Sequence, residues 1–473
     1  MLASSLLGTR RVFKHHVHVA YYWLALLDAV LFTGACYLGT FLYFLRDQAL
    51  LDSHLETLLP RALVFAITTV LAMTSLGLYQ PRLREGLNGI LLRVAGSFVL
   101  VTIAMAATFY LLPSLHLWRG VLAYSSVLAF TSCLITRVIF ANTVELEQFK
   151  RKILVLGTGQ RALNIAERMR RKSDRRGFRI AGYVRTEGED TLVETGSVFT
   201  PSEPLHDYAL AHDIRQIVVA LDDPGALPAE ELMHCRTSGI EVVNILDFFE
   251  QEASKILVEE APREWFIYSD GFAAGGAKNR GKRALDLLAA FFLLAGTWPL
   301  MLLTALAIKL EDGWRAPVIF RQKRVGLNGR VFDVLKFRSM SVDAEGDGKA
   351  RWATTNDSRV TRVGQVIRKL RIDELPQIVN VLVGDMALVG PRPERPEFVR
   401  ELSASIPFFD KRHCVKPGIT GWAQLNYPYG ASTRDALHKL EYDLYYVKNQ
   451  SLFLDCLVIL QTAEVILFGK GAR

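Results

Sequence analysis

The stretch Lys282-Arg-Ala-Leu-Asp-Leu-Leu-Ala-Ala-Phe-Phe-Leu-Leu-Ala-Gly-Thr-Trp-Pro299-Leu-Met-Leu-Leu-Thr-Ala-Leu-Ala-Ile308-Lys309 decides how this chain is arranged. Its apolar part, Ala284–Ile308, exceeds the roughly 20 residues that cross a bilayer core. Both flanks are basic: Lys278, Arg280, Lys282 and Arg283 precede it and Lys309 follows it. Lysine and arginine mark the cytoplasmic side of a membrane segment, so both ends are expected on that side. Pro299 falls past the midpoint, where a proline removes a backbone donor and kinks a helix. The reading is a broken, re-entrant helix that dips into one leaflet and returns, with Pro299 at the break. A straight span would put the polar C-terminal region outside the cell.

Working toward the N-terminus, four further apolar stretches occupy the first third: Tyr22–Leu45, Ala62–Leu78, Ile90–Leu112 and Val121–Phe140. Each approaches spanning length, and the first begins too late and runs too long for a signal peptide. Basic residues precede the first (Arg10, Arg11, Lys14), separate the second from the third (Arg82, Arg84) and follow the fourth (Lys150, Arg151, Lys152). Both ends of a four-helix transmembrane bundle are therefore expected in the cytoplasm. Arg93 and Arg137 sit near span ends, from which they are expected to snorkel. The whole chain agrees: 473 residues, 50% of them hydrophobic, have a mean hydropathy of +0.19. That value is high for a soluble chain and excludes disorder. A net charge of +8 is too small for a dedicated nucleic-acid binder. Cys36, Cys133, Cys235, Cys414 and Cys456 are scattered, without metal-ligand spacing or a disulfide framework.

Between the bundle and the decisive stretch the pattern changes to short apolar strands. Lys152-Ile-Leu-Val-Leu156 leads into Gly157-Thr-Gly159 and a helical pattern. Phe178-Arg-Ile with Gly182-Tyr-Val, then Ile214–Ala220 and Gly239–Ile245, read as further parallel strands of a small Rossmann-like α/β domain. The third glycine of a dinucleotide fingerprint is missing, with Leu163 or Asn164 in its place, and no ribose-binding acid is evident after the second strand. Nucleotide or anion binding and a ligand-free structural or regulatory fold are both open, the second being the expected one. No cofactor-binding residue is assigned.

Beyond Lys309 the sequence turns strongly basic, with Arg315, Arg321, Lys323, Arg324, Arg330, Lys336 and Arg338 before Met340. Such a surface beside a membrane segment attracts anionic headgroups or phosphates. Arg368-Lys-Leu-Arg-Ile-Asp373-Glu374-Leu-Pro-Gln377 places two adjacent carboxylates where a helix is expected to start, with Pro376 in its first turn. One carboxylate can attack phosphorus while the other holds a divalent cation. Guanidinium forks match the diffuse charge of a diphosphate. Arg368 precedes the pair, Arg392 is fixed between Pro391 and Pro393, and Lys336 and Arg338 add charge at the entrance. No Walker pattern or zinc set is present.

Lys336-Phe-Arg, Asp373-Glu-Leu-Pro-Gln, Gly390-Pro-Arg-Pro and Pro417-Gly-Ile-Thr-Gly-Trp-Ala-Gln, in that order, resemble the bacterial polyprenyl-phosphate sugar-1-phosphate transferases, the monotopic phosphoglycosyltransferases. The upstream bundle and Rossmann-like domain resemble the long, exopolysaccharide-initiating form, and Lys448-Asn, Thr462 and the ending Gly469-Lys-Gly-Ala-Arg473 are also similar to it. The resemblance implies transfer of sugar-1-phosphate, with glucose or galactose as the sugar, from a UDP-sugar to undecaprenyl phosphate with release of UMP. It implies Asp373 as the nucleophile of a covalent phosphosugar intermediate, Glu374 as the Mg2+ ligand, Arg368 and Arg392 as phosphate contacts, and Pro299 as the helix-breaking proline. The expected layout is a four-span region over 1–145, a Rossmann-like domain over 146–255, a linker over 256–277, and a monotopic α/β catalytic domain over 278–473. The expected place is the bacterial inner membrane, catalytic domain on the cytoplasmic face. Membrane lipids are expected contacts, and the resemblance allows a homo-oligomer and polysaccharide-assembly partners. The rivals are an oxidoreductase on the middle domain, for which no hydride-transfer site can be placed, and a membrane scaffold with a transferase-like tail.

Overall fold

Each apolar stretch of the sequence folds as a helix. The computed structural model describes residues 9–12, 15–79, 87–144, 150–169, 175, 177–186, 188–200, 203–269, 271–272, 276–341, 359–427, 430 and 432–468. Lys14, Arg82, Arg84 and the ending 469–473 lie outside them. The chain divides into one unit made chiefly of His16–Ala253 and another made chiefly of Ser254–Arg473.

In the first unit, β1 (Thr9–Val12) and β2 (His15–His18) pair ahead of α1 (Val19–Tyr43), α2 (Gln48–Leu55), α3 (Leu58–Ser75), α4 (Leu87–Leu111) and α5 (Arg119–Val144). α1 packs on α3 and α5, α3 on α4, and α4 on α5. Phe32, Phe65, Met73, Val94, Met105 and Cys133 fill the space between them, whereas Val30, Ile67, Val99, Ile103 and Val127 face outward. An apolar exterior around an apolar interior is what a bilayer solvent requires. Among the described residues, α1, α3, α4, α5 and one helix of the second unit are long and apolar enough to cross a membrane.

Arg93 and Arg137 do not snorkel. Arg137 on α5 is buried and donates from Nη2 to the fully buried Asp28 of α1 at 2.7 Å. Tyr79 donates its hydroxyl to the same carboxylate at 2.8 Å, and Thr136 does so at 3.2 Å. Arg93 is 1% exposed and donates to the Leu76 carbonyl at 2.5 Å. In apolar surroundings a charged group is least costly when it turns inward onto a partner, and here partners lie within reach.

The rest of the first unit is a five-stranded parallel sheet in the order β5-β4-β3-β6-β7. Its members are β3 (Arg151–Leu156), β4 (Phe178–Val184), β5 (Val198–Phe199), β6 (Gln216–Val219) and β7 (Glu241–Asn244). Helices α6 (Gln160–Arg168), α7 (Leu205–Ala211), α8 (Ala229–Thr237) and α9 (Ile245–Ala253) alternate with the strands. This order, reversing at β3, is a Rossmann-like half. β5 is too short to have left a pattern in the sequence.

The second unit opens on residues expected to be a linker, and they are not a free tether. Ile256 and Val258 are buried in its core, and the Ile256 amide donates to the Glu441 carbonyl at 3.0 Å. Helix α10 (Arg263–Tyr268) packs Trp265 and Phe266 against that core. Next comes α11 (Gly276–Asp312), which holds Pro299 inside it, with no non-helical gap at the expected break. A proline in a helix interior removes one hydrogen bond and bends the helix there. Then follow β8 (Ile319–Val325) and β9 (Val331–Phe337), an antiparallel pair, α12 (Arg362–Lys369), α13 (Gln377–Val383), β10 (Ala387–Val389), α14 (Pro396–Ser405), β11 (Gly418–Thr420), which pairs parallel with β10, α15 (Trp422–Asn426), α16 (Thr433–Asn449) and α17 (Leu452–Phe468).

Both ends of α11 are fastened to this same unit. Near its start Lys282 donates to Asp455 of α17 at 2.9 Å and to the Val389 carbonyl at 3.0 Å. Arg283 donates to the Val381 and Leu382 carbonyls at 2.6 and 2.8 Å. Near its end Asp312 accepts from Arg338 at 2.6 Å, and Glu311 caps α12 by accepting from the Arg362 and Val363 amides. Between these anchors Leu288, Phe291, Phe292, Trp298, Leu302 and Leu303 are exposed. In α17, Leu454 and Val458 pack into the core.

The buried pair in the bundle is open to a direct check. Asp28→Leu leaves Arg137 without its counter-charge, which costs about 3–5 kcal/mol and lowers the thermal midpoint of the detergent-solubilised chain. Asp28→Leu with Arg137→Met removes both charges and recovers most of that loss. Identical melting of Asp28→Leu and the wild-type chain would contradict the interior role of the pair.

Candidate active site

The chain ends α12 at Arg371, whose φ of 57° is left-handed, and then makes a single 3-10 turn, Ile372–Glu374. The Glu374 amide donates to the Arg371 carbonyl and the Leu375 amide to the Ile372 carbonyl. Pro376 has no amide to continue an α-helical ladder, so α13 begins only at Gln377. Asp373 and Glu374 thus stand one turn ahead of the helix that the sequence led one to expect them to start. Each is 9% exposed.

Three cations converge on one oxygen of Glu374. Arg392 donates from Nη2 to Oε1 at 2.8 Å, and Arg371 Nη1 and Lys336 Nζ stand 3.6 and 3.7 Å from the same atom. Among the described residues, Asp373 takes no hydrogen bond and no ion pair. Burial raises the Glu374 pKa, but Arg392, Lys336 and Arg371 overcome it and hold the carboxyl well below the usual range. Asp373 is displaced the other way: burial and then the adjacent Glu374 charge raise it, against the pull of Lys336, Arg371 and Arg392. Burial also lowers the Lys336 ammonium, with Glu374 opposing. Two neighbouring carboxylates therefore have opposite displacements, one ion-paired and the other unengaged.

Each member of the cluster is positioned from outside it. Asn380 of α13 accepts from the Leu335 amide at 3.0 Å and donates to the Asp333 carbonyl at 2.8 Å, which holds β9, and with it Lys336, against the 3-10 turn. Arg392 sits in the loop after β10. The Gly390 amide donates to the Thr420 carbonyl, and a Cβ at Gly390 would lie 2.3 Å from the Lys416 carbonyl oxygen, so only glycine fits. Arg412 donates from Nη2 to the Arg392 carbonyl at 2.9 Å and to the buried Asp443 of α16 at 2.7 Å. Arg324 of β8 donates to the Pro393 carbonyl at 3.0 Å. Beside the cluster a small surface cleft is lined by Arg324, Val334, Lys336, Gln377, Arg392, Pro393 and Gly418.

Of the predicted site residues, Asp373, Glu374, Lys336 and Arg392 are brought together. Arg368 is not placed with them: it lies in the last turn of α12, and no described side-chain contact links it to Glu374. Arg371, from the same basic run, stands within reach of Glu374 at a spacing of i−3. Arg338 is engaged with Asp312 at the end of α11. Arg324 lay in a basic run already noted, whereas Asn380 and Arg412 act across long sequence separations and leave no local signal. For magnesium, no group of three or more His, Cys, Asp or Glu side chains converges among the described residues. Mg2+ needs only one or two carboxylates when substrate phosphates complete its shell, and Glu374, the expected ligand, has all three cations on Oε1, leaving Oε2 without a partner among the described residues.

Residues 277–469 match the family model described as bacterial sugar transferase, and residues 74–223 match one described as a CoA-binding domain. The chain is 53% identical over 192 residues to the UDP-N-acetylgalactosamine-undecaprenyl-phosphate N-acetylgalactosaminephosphotransferase of Aeromonas hydrophila, covering 41% of this chain and 45% of that one. It is 35% identical over 363 residues to the undecaprenyl-phosphate glucose phosphotransferase of Komagataeibacter xylinus, covering 73% of this chain and 64% of that one. The chain thus spans less than two thirds of either protein. Over 199 residues it is 37% identical to the exopolysaccharide production protein PSS of Rhizobium leguminosarum bv. phaseoli, covering 40% of this chain and 97% of the relative. With the family model matched across the unit that carries the Asp373–Glu374 pair, and a relative aligned over nearly its whole length, the chain belongs to the bacterial sugar transferase family.

Proposed function

We propose that this chain transfers a sugar-1-phosphate from a UDP-sugar to undecaprenyl phosphate, releasing UMP, by way of a covalent phosphosugar on Asp373. The observation that carries this reading is the division between an unengaged, buried Asp373 and a neighbouring Glu374 held by three cations. A carboxylate without a partner can attack, while its ion-paired neighbour keeps cations in place. An Asp373 oxygen attacks the phosphorus that bears the sugar. The bond to the bridging oxygen breaks, and its electron pair leaves with UMP. An oxygen of undecaprenyl phosphate then attacks the same phosphorus, and the aspartyl–phosphorus bond breaks to restore the carboxylate.

Arg392, Lys336 and Arg324, lining one cleft, would meet the diphosphate with donors already oriented, which favours the charge that develops on the leaving phosphate. Glu374 would hold magnesium, which when bound draws charge from the diphosphate. Glucose and galactose are the sugars the sequence led one to expect. The relative matched over 73% of the chain favours glucose, and the Aeromonas relative makes UDP-N-acetylgalactosamine the donor to assay beside it.

The reading also requires a topology. UDP-sugars are cytoplasmic and the polyprenyl headgroup lies at the membrane surface, so the site belongs at the cytoplasmic face of the bacterial inner membrane. A re-entrant α11 would satisfy this. Its support is the attachment of both helix ends to one polar unit, through Lys282 and Arg283 at one end and Glu311 and Asp312 at the other. In a cysteine-free background, Arg280→Cys and Trp314→Cys are expected to react with an impermeant maleimide from the same side of sealed vesicles. Labelling from opposite sides would establish a full span.

Asp373→Asn is expected to lower kcat for UMP release by about 10^4-fold or more, and turnover near the wild-type rate would remove the assigned nucleophile. The pH profile tests the pair. Activity that needs the Asp373 carboxylate falls on acidification, at a pH above the ordinary aspartate value of about 3.9, because the group is raised. Glu374→Gln removes the like charge and leaves three cations facing Asp373. The residual activity of that variant then extends to lower pH, and its magnesium requirement weakens. An unmoved acid limb together with an unchanged magnesium titration would contradict the roles given to the two carboxylates.

A further inference from the structure

The glycine turn of the Rossmann-like domain is the sequence feature the transferase reading does not use. In a dinucleotide-binding fold such a turn lets a ligand phosphate rest on the amides at the start of the following helix. Here those amides already have anions. The Gln160 and Arg161 amides, which open α6, donate to the two carboxylate oxygens of Asp222 at 2.7 and 2.9 Å. The Thr158 amide, inside the turn, donates to Glu189 at 2.9 Å. Glu189 also accepts from the Asp222 amide at 3.0 Å and from the Thr186 hydroxyl at 2.9 Å, so the two acids are tied to each other's segments. Thr158 is completely buried beneath them.

Gly159 explains why the turn has a glycine with no ligand present. A Cβ there would fall 2.1 Å from the Asp222 carboxylate oxygen Oδ2 and 3.0 Å from the Glu189 carboxylate. The close approach that a pyrophosphate makes in a dinucleotide site is made here by a side chain of the same domain. Glu189 lies in the segment after β4, and its carboxylate turns into the glycine loop.

We infer that Asp222 and Glu189 are built-in substitutes for a ligand phosphate, and that the glycine loop of this domain is closed to coenzyme A and to dinucleotides. An incoming phosphate would have to displace Asp222 from two amide hydrogen bonds and would meet two carboxylate charges at the loop. Both effects oppose binding. The match of residues 74–223 to a CoA-binding family model, which also takes in α4 and α5, therefore does not extend to a ligand at this loop, which is a self-capped joint between β3, α6 and the segments after β4 and β6.

Equilibrium dialysis on the 473-residue chain in nanodiscs tests this, with coenzyme A, NAD+ and inorganic phosphate as separate probes. The chain with its glycine loop unaltered, carrying Lys336→Ala and Arg392→Ala so that the cleft of the second unit contributes no phosphate binding, is expected to bind none of them saturably. Asp222→Asn with Glu189→Gln removes both charges and is expected to raise phosphate affinity about tenfold or more. Asp222→Asn alone, at an exposed position, provides the same comparison if the double variant does not fold. One-to-one binding of coenzyme A or NAD+ by the wild-type chain, abolished by Gly159→Val, would overturn the inference. A folded variant that gains no phosphate affinity would equally overturn the claim that these carboxylates keep the loop closed.

Discussion

The convergence of Arg392, Arg371 and Lys336 on a single oxygen of Glu374 is the constraint around which the second unit is organised. Three cations and one anion leave an excess of positive charge beside Asp373, which itself has no partner among the described residues. A site so arranged has positive charge to spare for an anion. The protein holds it so by fixing each cation from behind: Asn380 sets β9 for Lys336, and Arg412, itself anchored on Asp443, sets the backbone at Arg392. The strained left-handed residue at Arg371 belongs to the same logic, because it ends α12 and turns its guanidinium toward Glu374.

Buried ion pairs fasten the long apolar helices of this chain to their neighbours. Lys282 with Asp455, and Arg338 with Asp312, bind the two ends of α11 to its unit. Arg137 with Asp28 does the corresponding work inside the helical bundle. Such pairs are poor sources of net stability, but they penalise any arrangement in which one partner is missing. They are suited to fixing which elements meet.

The sequence made the helices, the parallel strands and the central motif legible because each has a local signal: hydrophobic runs, short β-branched runs, and the Asp-Glu-Leu-Pro-Gln run. It misled where the outcome depends on contacts distant in sequence. Arg93 and Arg137 looked like snorkelling end residues, because nothing near them reveals Asp28 or the Leu76 carbonyl as a partner. The stretch after Ala253 looked like a linker because its apolar residues are spaced without a period, yet Ile256 and Val258 enter the core. Gly157-Thr-Gly159 looked like an incomplete ligand fingerprint, and its true counterparts, Glu189 and Asp222, lie some distance along the chain.

The central claim is that Asp373 takes the phosphosugar. Mass spectrometry of the purified chain, incubated with UDP-glucose and magnesium but without a lipid acceptor, tests it most directly. The account predicts a hexose-phosphate adduct confined to the peptide that contains Asp373, absent from Asp373→Asn and discharged when undecaprenyl phosphate is added. An adduct on another residue would contradict it. So would turnover to lipid-linked product with no adduct at any time under rapid quenching.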